Sequence, residues 1–194
     1  MMTRSGIALL TALLLAGCAG TQRETAPPSA RKLERLAAVK ADPAEAVRIL
    51  NAYRAGKGLG PVRLDPTLTA MAQRQAEAMA AADDLSHGAA GSFTSRVHAA
   101  GLDAVRAAEN LGAGYYSTQE AFEGWKKSSG HEANLSMPQA TRIGIALAKN
   151  PQTRYGTWWT LVLAGEPETR REMPAGPLVP VRGGGTTFRW GTPL

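Results

Sequence analysis

Apolar residues recur with a helical period through the front of this chain and with a strand period near its end. Asp42-Pro43-Ala44-Glu45 supplies a capping carboxylate, a proline at the first helical position and a glutamate at the third, a strong helix start. Ala46, Ile49, Leu50 and Tyr53 follow at i, i+3, i+4 and i+7, one apolar face, and Gly56 and Gly58 stop the helix. Residues 60–64 read as a short connector. Asp65-Pro66 repeats the start signal, and Leu68, Met71, Ala72, Ala76 and Met79 form the inner face of a second helix that runs out near Asp83-Asp84. Gln73, Arg74 and Glu77 lie on its outer side. Residues 92–100 predict a short helix ended by Gly101, with His98 on its surface or partly packed. Ser117-Thr118-Gln119-Glu120 is a capping box, and the helix it opens carries Ala121, Phe122 and Trp125 and ends near Gly130.

The period then changes. Residues 109–114, poorly alternating and punctuated by glycine, predict a short strand or an extended segment. Ile143, Ile145 and Leu147 share one face of a later strand, and Gly144, Ala146 and Ala148 the other, a small face suited to close approach by another element. Asn150-Pro151-Gln152-Thr153 turns the chain, after which Trp159, Leu161 and Leu163 alternate with Trp158, Thr160, Val162 and Ala164. Helices first and a terminal hairpin afterwards predict an α+β domain over residues 42–165. Trp125, Trp158 and Trp159 are expected in its core.

Outside that domain the patterning fades. Met1 to Arg4 is a basic start, and residues 6–17 are an apolar run well short of the ~20 residues a spanning helix needs, so residues 1–17 read as a signal peptide. The run stops at Leu15-Ala16-Gly17-Cys18, which resembles a bacterial lipoprotein box. That resemblance implies lipid attachment at Cys18, the only cysteine of the chain, and, in an organism with two membranes, Ala19 after it implies the outer one, facing the periplasm. Residues 18–41 read as a lipidated tether and linker with Pro27-Pro28, in which 31–40 could form a short helix of modest apolar content. Residues 166–194 are rich in proline and glycine and predict a largely irregular tail.

Composition narrows the function classes. The net charge of +6 comes from interspersed basic residues without an aromatic-laced basic stripe, which argues against nucleic acid and suits an anionic envelope surface. The chemistry concentrates in residues 85–135. His87 and His131 stand near its two ends, with Glu109 midway between them. Two imidazoles and a carboxylate are donors for Zn²⁺ or another divalent cation with a water in the fourth place, and such a water could attack an ester or amide. The same three residues could equally form a hydrogen-bonded polar knot without any reaction. No His-Glu-x-x-His helix is present, and Ser86 lies outside any Gly-x-Ser-x-Gly context, which leans against an enzyme. Asn110 and Asn134 are expected to bond backbone in their loops.

The pieces in order resemble the CAP superfamily (cysteine-rich secretory proteins, antigen 5, pathogenesis-related-1), in its disulfide-free bacterial branch. They include Leu50-Asn51-Ala52-Tyr53-Arg54, residues 61–68, Leu85-Ser86-His87, Ala108-Glu109-Asn110-Leu111, residues 125–135, Ile143-Gly144-Ile145-Ala146 and Tyr155-Gly156-Thr157-Trp158-Trp159. The resemblance implies an α-β-α sandwich with a small antiparallel sheet between helical layers, and a cleft lined by two histidines and two acids, in which several members bind a divalent cation. His87, Glu109 and His131 match three of these groups. Ser128 stands where the second acid would be, with Glu123 and Glu132 as nearby substitutes. Ser86, Ser128, Asn110 and Asn134 are expected around the cleft. The function implied is a lipid-anchored envelope module that binds an envelope lipid or glycan such as peptidoglycan, with a divalent cation optional. A metal-dependent hydrolase using Glu109 on a peptide, lipid or wall ester, and a structural or interaction module, are the alternatives.

Overall fold

The computed structural model describes residues 27–102 and 106–166. Residues 1–17, read as a signal peptide, Cys18 and the tail from residue 167 onward lie outside the described residues.

Four of the helices start where side-chain caps were expected or nearby. In α2 (Pro43–Ala55) Asp42 Oδ1 accepts from Glu45 N, and in α3 (Pro66–Ala82) Asp65 Oδ1 accepts from Leu68 N, both at 3.0 Å. Ser92 Oγ accepts from Ser95 N at the start of α4 (Phe93–Ala99), and Ser117 Oγ from Glu120 N at the start of α5 (Thr118–Lys126). Each satisfies a backbone N–H that the first helical turn would leave without a partner. The return bond of the capping box goes one residue further back, from Tyr116 N to Glu120 Oε2 at 2.7 Å.

Four strands make one sheet in the order β1-β3-β4-β2. β2 (Ala107–Ala113), β3 (Arg142–Lys149) and β4 (Thr157–Ala164) are antiparallel neighbours, and the terminal hairpin is β3–β4. β1 (Arg63–Leu64), read from sequence as a connector, pairs in parallel with β3, so the sheet is mixed and not purely antiparallel. A two-residue pair has no alternation to betray it; its register follows from tertiary placement.

Strand alternation divides the core between two helical layers. Ile143, Ile145, Trp159, Leu161 and Leu163 pack with residues of α2, α5 and α6 (Ser129–Leu135) on one face. Ala146, Ala148, Trp158, Val162 and Ala164 pack with residues of α3 and α4 on the other. This is an α-β-α sandwich, and all three core tryptophans are buried in it. The small face of β3 is used as expected: a β-carbon at Gly144 would overlap the backbone of Leu68 and Thr69 in α3.

α1 (Ala30–Ala38) falls within the stretch read as linker. Leu36 and Val39 are buried, Lys149 Nζ donates to the carbonyls of Leu36 and Val39, and Lys32 Nζ donates to Thr153 O. The packed body therefore begins upstream of Asp42. Among the described residues no helix is long and apolar enough to cross a membrane.

Candidate functional site

β2 is an edge strand, and the site is built around it. Its residues alternate between the two helical layers, so Glu109 and Asn110 engage opposite ones: Glu109 bonds Arg96 of α4, and Asn110 bonds the backbone of α6. The outer edge is covered by side chains, since Trp125 Nε1 donates to Leu111 O at 2.8 Å and Asn134 Nδ2 to Glu109 O at 3.4 Å.

His87 reaches this edge from the loop after α3. That helix ends at Asp83 in the left-handed region, φ 51°, a conformation aspartate tolerates better than most residues. The loop is then gripped from within: Gln75, buried on α3, donates from Nε2 to Ser86 O at 2.6 Å and accepts from Ala90 N at 3.2 Å. The result places His87 Nδ1 2.9 Å from Glu109 Oε1, with the imidazole 58% exposed and the glutamate side chain 1% exposed.

Arg96 completes the arrangement. Nη1 donates to Glu109 Oε2 at 2.8 Å, Nη2 to Glu109 Oε1 at 2.9 Å and to His87 O at 3.0 Å, and Nε to Gly91 O at 3.1 Å. Glu109, expected as a third metal ligand, thus has both oxygens engaged by a guanidinium. Among the described residues no three His, Cys, Asp or Glu side chains are grouped to hold a metal ion.

His131 stands on α6, a helix the sequence reading ended before, and its carbonyl accepts from Asn110 Nδ2 at 3.0 Å. The ring is half-buried. Burial first, and the neighbouring His87 second, hold its imidazole below the ordinary histidine value. The asparagines bond backbone as expected, but across elements and not within loops: Asn134 Nδ2 on α6 donates to Asn110 Oδ1 at 2.8 Å and to Glu109 O, fixing α6 against β2.

The remaining expected groups stand elsewhere or are occupied. Ser86 Oγ accepts from Gly88 N, a local turn, and Ser128 is the N-cap residue of α6 without a side-chain capping bond. Neither acid proposed to replace the missing fourth group serves the cleft. Glu123 accepts from Gln119 on an exposed helix face. Glu132 is held by Lys57, Tyr53 and Ser136, and the Lys57 hydrogen bond, then those of Tyr53 and Ser136, lower its carboxyl to about 2. His98 is exposed on α4.

Two site residues escaped the sequence reading, Gln75 and Arg96. Each carried a faint signal. Gln75 sits within the inner stripe of α3, beside Ala72, Ala76 and Met79. Arg96 precedes the buried Val97 and has no acid three or four residues away on its own helix to pair with.

Comparison with known proteins agrees with this fold. A curated relative, the uncharacterized protein YkwD of Bacillus subtilis strain 168, is 28% identical over 122 residues, covering 62% of this chain. The chain spans about half of that relative's length, 46%. An extracellular protein of Bacillus anthracis containing an SCP domain matches with a TM-score of 0.54 at 22% identity, over 63% of this chain and 40% of that one. An outer surface protein of Borrelia burgdorferi matches with a TM-score of 0.55 at 19% identity, over 64% of this chain and 96% of that one. The model of the cysteine-rich secretory protein (CAP) family matches residues 47–163, from α2 into β4. The chain belongs to that family, although Cys18 is its only cysteine.

Proposed function

We propose that this chain is an extracytoplasmic CAP domain, held to the envelope by lipid at Cys18, that binds an envelope lipid or glycan at the cleft marked by His87 and His131 without turning it over. The observation that carries this reading is the state of Glu109. Its carboxylate is buried and saturated by Arg96 and His87, so it braces an exposed imidazole and is not free to act as ligand or base. Ser86 Oγ accepts from Gly88 N in a local turn, and among the described residues no histidine is hydrogen-bonded to it as a base would be.

The donor set suits a divalent cation only in part. His87 and His131 would hold it, with water or ligand atoms in the other positions. Glu109 would stand behind His87 as carboxylates commonly stand behind metal-bound imidazoles. A cation there would supply a Lewis-acidic anchor for a ligand oxygen. The hydrolytic reading has one observation in its favour, that a buried carboxylate against Nδ1 of an exposed histidine is also how a general base is oriented.

Calorimetric titration of the protein with Zn²⁺ tests the site. Binding is expected to drop at least tenfold in His87→Ala and in His131→Ala. Binding equal to wild type in both variants would remove the cleft from the account. The anchor is tested separately: Cys18→Ala is expected to leave the membrane fraction, and a variant that still sediments with membranes contradicts lipidation at that residue. The extracellular Bacillus anthracis protein and the Borrelia outer surface protein support an extracytoplasmic placement.

A further inference from the structure

We propose that Arg96 is the positioning residue of the cleft: through Glu109 it fixes the proton of the neutral His87 ring on Nδ1 and presents Nε2 as a bare lone pair. The argument is one of donors and acceptors. A guanidinium only donates, and it binds a carboxylate in its anionic form, whose oxygens only accept. Arg96 meets Glu109 with both ends of its fork, at 2.8 and 2.9 Å. The carboxylate is therefore committed as an acceptor on both oxygens. His87 Nδ1, 2.9 Å from Oε1, can complete that contact only as a donor. One neutral imidazole carries one N–H, so Nε2 is left unprotonated.

The surroundings make this assignment firm. Both partners of the fork are withdrawn from water, Arg96 at 9% and Glu109 at 1% side-chain exposure, which protects the pair from competition by solvent. The same guanidinium holds the His87 carbonyl and the Gly91 carbonyl, so four of its five N–H groups are committed to the loop and to Glu109. One side chain thereby sets both the position of the His87 backbone and the chemistry of its ring. A histidine in water without such a partner favours the opposite tautomer, with the proton on Nε2. The exposed imidazole would then show the cleft an N–H donor where the structure gives it an acceptor. What Arg96 decides is the polarity of the group a ligand or cation meets.

This inference uses the cleft of the proposed function but not the presence of a cation, so the two fail separately. The test is ¹⁵N and ¹³C NMR of the histidine rings in the full chain, without added metal, at a pH where the His87 ring is neutral. Wild type is expected to show Nδ1 as the protonated nitrogen and Nε2 as the unprotonated one in the dominant form. Arg96→Met is expected to shift the majority to the Nε2–H form, and Arg96→Lys, which offers a single point of donation instead of a fork, to fall between. The backbone spectrum away from residues 85–110 reports whether the fold survives. If Arg96→Met gives no dispersed spectrum, the wild-type tautomer and Arg96→Lys decide. A wild-type ring protonated on Nε2, or a folded Arg96 variant with the wild-type tautomer, overturns the assignment and leaves the binding proposal standing. The predicted tautomer in a protein that binds no Zn²⁺ would instead count against the cation alone.

Discussion

Gly144→Ala is expected to destabilise the domain by about 3 kcal/mol or more, beyond the usual range for one added methyl group. The reason is what the methyl group meets. Gly144 lies on β3 opposite Val162 of β4, on the face that receives α3, and a β-carbon there would overlap the main chain of Leu68 and Thr69. A flexible side chain could swing away; a helical backbone cannot. Nor is α3 free to retreat as a body. Asp65 N donates to Ile143 O at 2.8 Å, and the Asp65 carboxylate meets Arg142 Nη1 of β3 at 2.9 Å, so the start of α3 is tied to the strand on which the clash would occur. Lifting the helix would also open the packing around Leu68, Met71, Ala72 and Ala76, all fully buried. Replacing a strand glycine recovers only about 0.5–1 kcal/mol of backbone entropy, too little to offset this. In thermal unfolding, the expected loss corresponds to a fall in Tm on the order of 10 °C. A variant that melts within two or three degrees of wild type would show that α3 does not approach β3 as described.

That close approach was legible in the sequence, and the reason generalises. Gly144, Ala146 and Ala148 form a face whose smallness has no local purpose, so it announced a neighbour before the neighbour was known. The same holds for the helical stripes of α2 and α3 and for the alternation of β4, because period and burial are set by residues close in sequence. α6 was not legible. Ser128-Ser129-Gly130 looks like the end of a helix, and the turn that follows survives through contacts from far away: Leu135 is buried, Asn110 bonds the His131 carbonyl, and Arg54 bonds the Leu135 carbonyl. β1 and the docking of α1 likewise rest on partners dozens of residues distant.

The candidate site divides along the same line. His87, Glu109 and His131 were visible as residue types able to do chemistry, and the family resemblance brought them together. Arg96 was not visible, because an arginine on a short helix reads as solvated surface until the fold sets a buried carboxylate opposite it. Its presence changes the reading of Glu109 more than any feature of Glu109 itself. A carboxylate judged from sequence as a ligand or base turns out to have both oxygens paired with a guanidinium.

Arg54→Met is expected to cost about 3–5 kcal/mol while leaving most of the side-chain volume in place. Arg54 is 0% exposed, and its four hydrogen bonds all go to backbone carbonyls: Nε to Gly60 at 2.8 Å, Nη1 to Leu135 at 3.0 Å and Met137 at 2.9 Å, and Nη2 to Ala140 at 3.0 Å. Leu135 ends α6, so the guanidinium stands at the end of that helix where carbonyls lack intrahelical partners and the helix dipole is negative. Burial pulls its pKa below the ordinary arginine value, the sign of a cation kept by its acceptors despite the loss of water. Methionine would fill the space of the stem and leave these carbonyls without donors, at about 1–3 kcal/mol for each that water cannot reach. These costs do not add fully, since the loop 135–140 can relax. Against a total stability of about 5–15 kcal/mol, the remainder is small enough to show as a large fall in the urea midpoint with an unchanged m-value. Fluorescence of the buried tryptophans follows the transition. The site should respond as well: α6 carries His131, so in folded Arg54→Met protein the His131 ring signals are expected to move while those of His98, exposed on α4, stay. Loss of stability below about 1 kcal/mol, or a His131 signal indifferent to the change, would mean that α6 is held by its packing against β2 and not by the arginine beneath its last turn.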